Sequence, residues 1–196
     1  MAQTSTTLIS AKSHITSITG TDISLSATSG VYTISATSTV LTGAGKLAVG
    51  DLITVSGSAS NNSTFTVSTV VSTTELTVAE VVTSENADGS STITLDHVGF
   101  VSDKAKGDGY YSQPDGVHTV AYQVANDFNA NATIKMQGTL ATTPTEDDWF
   151  NIANTTFTAD GSTVTSSYNF TGNYVWVRSK TQLLTAGTTN SILLNS

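Results

Sequence analysis

Residues 47–78 read LAVGDLITVSGSASNNSTFTVSTVVSTTELTV, and this stretch decides the fold class. The runs LITVS, TFTVSTVV and ELTV are rich in Val, Ile, Thr and Phe, residues that suit a pleated, half-buried surface. Between them lie turn signals: Gly50–Asp51, Asn61–Ser63 and Ser72–Glu75. No Pro interrupts a run. Working outward, VYTISA (31–36) sets Val31, Thr33 and Ser35 on one face and Tyr32, Ile34 and Ala36 on the other. Asp88–Gly89 marks a further turn before STITLDHV (91–98). Strand patterns that recur about every 10–14 residues with turns between them predict a small sandwich or barrel over residues 31–98.

Composition agrees. Of 196 residues, 37 are Thr and 26 are Ser, whereas Glu numbers 4 and Lys 6. Thr is stiff at Cβ and Ser competes for backbone hydrogen bonds, so both weaken helices. A helical bundle is excluded, and no run approaches the roughly 18 apolar residues of a membrane helix. The opening MAQTSTTLIS has neither a basic start nor an apolar core, so no signal peptide is expected. With no Cys, disulfide scaffolds and thiolate metal sites are impossible. A net charge of −8 argues against a nucleic-acid backbone binder, which needs clustered cations.

Residues 1–30 are read as an N-terminal arm or β lead-in. SITGTDISLS alternates from Ile18 to Leu25 with a break at Gly20–Thr21, which suits two strands and a turn; a flexible arm is the alternative. Residues 99–116, GFVSDKAKGDGYYSQPDG, concentrate Gly, Asp and Lys and hold the first Pro, Pro114, so they read as a linker or long loop. Residues 117–196 read as a β-sandwich domain. VHTVAYQV alternates Val117, Thr119, Ala121 and Gln123 against His118, Val120, Tyr122 and Val124, and NATIKMQGTL sets Ile134 and Met136 opposite Lys135 and Gln137. Both Trp and most Phe and Tyr lie in this half, so it is expected to hold the better core. The first domain is expected to be thin and completed by a neighbour. The reading is therefore all-β: two small β-sandwich or barrel domains in tandem behind an extended Ser/Thr-rich segment.

Chemistry is sparse. His14, His97 and His118 have no ligand-spaced partner and read as surface or strand residues. Glu146–Asp147–Asp148 reads as a turn rather than an acid/base pair. Asp127, Asn129 and Asn131 begin like a calcium loop, but Ala132 and Gly138 stand where Gly and a bidentate Glu are required. A weaker cation candidate is the loop carrying Asp103, Asp108 and Asp115. No cofactor, metal or catalytic residue is expected, and the chain is not expected to be an enzyme. Trp149, Tyr174 and Trp176 are the candidates for glycan stacking or an interface. Tyr174 and Trp176 alternate within NYVWVR, for which a core face is the commoner reason.

Two stretches resemble known families. Gly50–Asp51, Ser56–Ser58, Asn61–Asn62, Thr64–Val67 and Glu85 together are similar to a small β module of tailed-bacteriophage virion proteins. QGTL (137–140), the Trp149–Phe150 strand and FTGNYVWVR (170–178) resemble a β-sandwich domain of phage structural proteins, notably those of cyanophages. The resemblance implies a non-enzymatic virion component assembled in the host cytoplasm. It most resembles a capsid decoration protein bound to a major capsid or tail protein through its N-terminal half. It also implies a homo-oligomer, without nucleic acid or membrane as partner. A tail, neck or fibre component, or a carbohydrate-binding module for host attachment, is the alternative.

Overall fold

The computed structural model describes residues 5–111, 116–162 and 164–195, and it is all-β. Two strands open the chain, β1 (Ser5–Ile9) and β2 (Lys12–Ser13). Then follow β3 (Ile18–Gly20), β4 (Ile23–Thr28), β5 (Val31–Ala36), β6 (Asp51–Ser56), β7 (Thr64–Ser72), β8 (Glu75–Val78) and β9 (Ile93–Val101). The remainder carries β10 (Ala105–Lys106), β11 (Val117–Val124), β12 (Thr133–Thr139), β13 (Phe150–Asn151), β14 (Phe157–Thr158), β15 (Thr165–Thr171), β16 (Trp176–Gln182) and β17 (Thr188–Asn195). They form two compact units, one spanning Ile15–Phe100 and one joining Met1–His14 to Val101–Ser196.

The Ile15–Phe100 unit is a barrel. Its strands run β9-β6-β7-β8-β5-β4, and β3 pairs with β9 at the start of the path. Strands β3 and β4 are successive, separated only by Thr21–Asp22, so that turn links the two ends of the strand path. On its other side β4 is bridged at Leu25 by Glu85, which covers part of that edge. The Asp22 carboxylate holds the corner: it accepts the backbone N–H of Ser38 at 2.7 Å and of Thr39 at 2.9 Å, and the hydroxyls of Ser38 and Thr39. Inside, Ile23, Leu25, Ile34, Leu41, Ile53, Leu76 and Leu95 are almost wholly buried in one contiguous cluster.

The second unit is a sandwich. One sheet runs β1-β17-β11-β15, with β2 also on β17. The other is centred on β12 and β16, with β13 and β14 on β12 and β10 on β16. Strand β11 buries His118, Val120, Tyr122 and Val124, as the alternation predicts. The Tyr122 ring meets Phe157 of the opposite sheet, and its hydroxyl donates to the Thr155 carbonyl at 2.8 Å.

Three expectations need correction. Residues 1–30 are not one segment: 5–9 and 12–13 pair with β17, while 18–28 close the barrel. The compact units therefore do not fall at 31–98 and 117–196. Residues 99–116 are not a plain linker, since Gly99–Val101 extend β9, Ala105–Lys106 pair with β16 and Asp108–Tyr111 form a 3-10 turn. Pro114 and Asp115 lie outside the described residues. Nor is the first core thin: closing the barrel with the lead-in brings Ile18, Ile23 and Leu25 into it.

Candidate functional site

The residues of the second resemblance converge on Arg178, the single arginine of the chain. On β16, Val177, Ser179 and Thr181 face the core, whereas Trp176 and Arg178 occupy the opposite face. That face is covered by the turn Thr145–Trp149. Asp148 shapes the turn by accepting the N–H and hydroxyl of Thr145 at 2.7 and 2.8 Å. These bonds, the N–H first, hold its carboxyl below the usual range. The turn aims Glu146 at Arg178. Both terminal guanidinium nitrogens, Nη1 and Nη2, donate to Glu146 at 2.7 Å, and Nε donates to Gln137 Oε1 at 2.9 Å. Gln137 donates in turn to Asn151 at 3.1 Å. Above the guanidinium lies Trp149, with the ring centre 4.2 Å away. Arg178 is 4% exposed, and such a fork-to-fork pair stacked on an aromatic needs Arg rather than Lys.

Tyr174 builds the adjoining region. Its ring lies flat against Gly138 of β12, where a Cβ would come within 2.6 Å of the ring. Glycine is needed there for close approach. Phe170, Phe150 and His118 surround the same ring at 6.2, 6.0 and 6.1 Å. Its hydroxyl donates to the Thr171 carbonyl at 3.2 Å, and burial raises its pKa. Beside it opens a pocket of about 320 Å³ lined by Tyr174, Phe170, Val117, Ile152, Asn154 and Asn169.

The three aromatic candidates thus have separate surroundings. Trp149 stacks on Arg178. Trp176 packs against Tyr110 and Lys104 and donates its indole N–H to the Thr142 carbonyl at 3.0 Å. Only Tyr174 lines the pocket. All three are half-buried; the core-face reading is corrected for Trp176, since the core face of β16 is the other one, whereas Tyr174 precedes β16 and packs on the buried His118 and Phe170.

The first resemblance gathers into a second cluster, in the barrel. Glu85 accepts the hydroxyl of Ser58 at 2.5 Å, the N–H of Ala59 at 2.8 Å and the side-chain amide of Asn61 at 3.1 Å. The Ser58 hydroxyl leads the bonds that lower its pKa. The Asn61 amide behaves as a piece of strand, accepting from Thr83 N–H at 2.7 Å and donating to Thr83 C=O at 2.9 Å.

Two buried Asp–His contacts were not legible as pairs. His97 Nδ1 accepts the Ile15 N–H at 3.2 Å, which leaves Nε2 facing Asp51 at 3.4 Å. His118 Nε2 lies 3.2 Å from the Gly172 carbonyl and 4.0 Å from Asp108, with its ring stacked on Phe170 at 4.8 Å. Both rings are buried, not surface groups. The signal was available for His118, which falls on the apolar face of VHTVAYQV. Asn129 closes its turn through Thr185, Ala186 and Leu183, as a polar loop residue. Among the described residues, no group of three or more His, Asp or Glu side chains is placed to hold a metal ion, and no helix is long and apolar enough to cross a membrane.

The chain matches no known protein-family model, and comparison with curated proteins gives no significant match.

Proposed function

We propose that this chain is a non-enzymatic structural component of a tailed-phage virion, acting as a decoration protein that binds the particle surface through its barrel unit. The observation that carries the reading is where the resembling residues go. Ser58, Asn61 and Glu85 tie the barrel loops together, and Gln137, Trp149 and Arg178 tie the sandwich loops together. Glu85 and Asp148 are held by backbone and hydroxyl donors and Glu146 by Arg178, which supports scaffolding rather than turnover. The barrel is the attachment unit in this reading, not a detachable arm, because residues 5–28 are strands of both units. Charge supports it. The barrel carries one Lys against seven carboxylates, net −6, whereas the rest of the chain carries six cations against eight carboxylates, net −2. A strongly acidic unit suits a complementary basic patch on a capsid protein. The test is density-gradient purification of the encoding phage followed by quantitative mass spectrometry. The chain should band with particles at a fixed, stoichiometric copy number; its absence from the band refutes the proposal.

The Tyr174 pocket favours one second reading, glycan binding, because an aromatic face sits beside the Asn154 and Asn169 amides. Tyr174→Ala should abolish binding on a glycan array while leaving gradient co-purification intact. An array with no binding by the parent chain removes this reading.

A further inference from the structure

Strand β15 is the exposed edge of its sheet, and it differs from the other edges of the sandwich unit. Strand β1 spans five residues and its register slips between Thr7 and Ile9, while β2, β10, β13 and β14 span two residues each. Short or irregular edges of this kind resist pairing with other chains. Strand β15 pairs with β11 over seven consecutive residues without a bulge, and among the described residues nothing else pairs with it. Residues 164–171, VTSSYNFT, contain no Pro and no charge. Among the described residues, this edge has no bulge, no Pro and no charge to block pairing.

The phase of its hydrogen bonding follows from its two ends. Val124 N–H donates to Val164 C=O at 2.9 Å, and Gly172 N–H donates to Gly116 C=O at 2.8 Å. In an antiparallel pair, bonded positions alternate. Even-numbered residues of β15 therefore bond to β11, and Thr165, Ser167, Asn169 and Thr171 direct their N–H and C=O groups outward. Their side chains are all exposed.

We infer that β15 pairs with β15 of a second copy of this chain, antiparallel about a two-fold axis. The strand is self-complementary in the register that sets Thr165 opposite Thr171 and Ser167 opposite Asn169. Ser167 and Asn169 then exchange bonds, with the Thr165–Thr171 pairs flanking them where the Thr171 carbonyl already accepts the Tyr174 hydroxyl, and Tyr168 meets its own copy on the axis, a favourable aromatic cross-strand pair. The self-complementary register selects the occupant, and the absence of charge on this edge permits it. Each copy carries −8, so copies repel through most of their surfaces, and an uncharged edge is where that repulsion is least. One strand pair covers less than the roughly 1,200 Å² of a standard interface, so the dimer is weak and tightens as salt screens the net charge. This inference concerns the chain in solution and stands apart from virion location.

Sedimentation equilibrium on the full chain tests it, together with NMR amide exchange at low and high concentration. The 20.3 kDa chain should dimerise reversibly, more tightly at high salt. The amides of Ser167 and Asn169 should gain protection with concentration, while those of Ser166 and Tyr168 stay protected throughout. Ser167→Pro removes an outward N–H without breaking the β11 ladder, so the variant should keep the parent spectrum and weaken dimerisation at least about tenfold. A chain that stays monomeric to about 1 mM overturns the inference. So does an oligomer other than a dimer, or association that leaves Ser167 and Asn169 unprotected.

Discussion

The barrel and the sandwich are made from the same hydroxyl-rich sequence but are held by different means. The barrel has an aliphatic interior, and its loops are clasped by single carboxylates: Asp22 on 37–39, Glu80 on Thr66, Glu85 on 58–61 and Asp88 on 90–91. The sandwich adds the buried rings of Tyr122, Phe128, Phe157 and Phe170 to an aliphatic interior, and its outer face is clasped by one cation, Arg178. In a barrel with no arginine and one lysine, backbone N–H groups and hydroxyls are the donors at hand, and a carboxylate can gather several at once. Where an arginine exists, a single side chain ties together a turn, a neighbouring strand and an indole. The lesson is that composition chooses the clasp while topology chooses where it sits.

The comparison breaks most sharply at Arg178. Arg178→Ala strands Gln137 and Glu146 and bares Trp149. It should destabilise the sandwich by about 3–4 kcal/mol, the lower part of the range for breaking a buried pair, since the Glu146 side chain is about a quarter exposed. Both Trp lie in this unit, so indole fluorescence during urea unfolding reads it directly. Arg178→Lys keeps the charge without the fork and should recover less than half.

Asn61→Ala probes the barrel clasp. It leaves Thr83 N–H and C=O without their partner and removes one donor to Glu85, at a cost of about 2 kcal/mol. Hydrogen exchange should show the loss in the peptides of residues 58–61 and 83–85, and none in the sandwich.

The smallest effect separates the units by pH. Asp22, Glu85 and Asp88 have folded pKa values lowered from ordinary values of 3.8, 4.5 and 3.8, chiefly by the hydroxyls of Thr39, Ser58 and Ser91 respectively. Depressed carboxylates stabilise above the unfolded values, and that stability is lost as pH falls below about 4.5 towards the folded ones. Tyr122 and Tyr174 are raised above 10.0 by burial, so their stability is present below that value and is lost as pH rises beyond it. Among the described residues the sandwich has one such lowered carboxylate, Asp148, against these three in the barrel, so acid should open the barrel first and alkali the sandwich first, in exchange measured at pH 3 and pH 11. The reverse order would sink the comparison.

Local patterns were legible in the sequence, and long-range ones were not. The alternation of VHTVAYQV gave the buried face of β11 residue by residue, and SITGTDISLS gave two strands and a turn. Neither said that Ile18–Gly20 would pair with residues 93–95, or that Ser5–Ile9 would pair with the chain's last strand. Such partners are set by closure of a core across the chain, not by local pattern. Arg178 was hidden for a related reason. Its neighbours in NYVWVR drew attention to aromatics, whereas its partners Glu146 and Gln137 lie 32 and 41 residues away. A lone arginine inside a strand of a chain with 11% charged residues was the available sign of a buried, paired cation.

The proposed role in a virion is tested most directly by labelling purified particles of the encoding phage with gold-conjugated antibody against this chain. The account predicts gold at regular positions over the capsid surface, at a density constant from particle to particle. Particles left unlabelled, in preparations where an antibody to the major capsid protein does label, would contradict it.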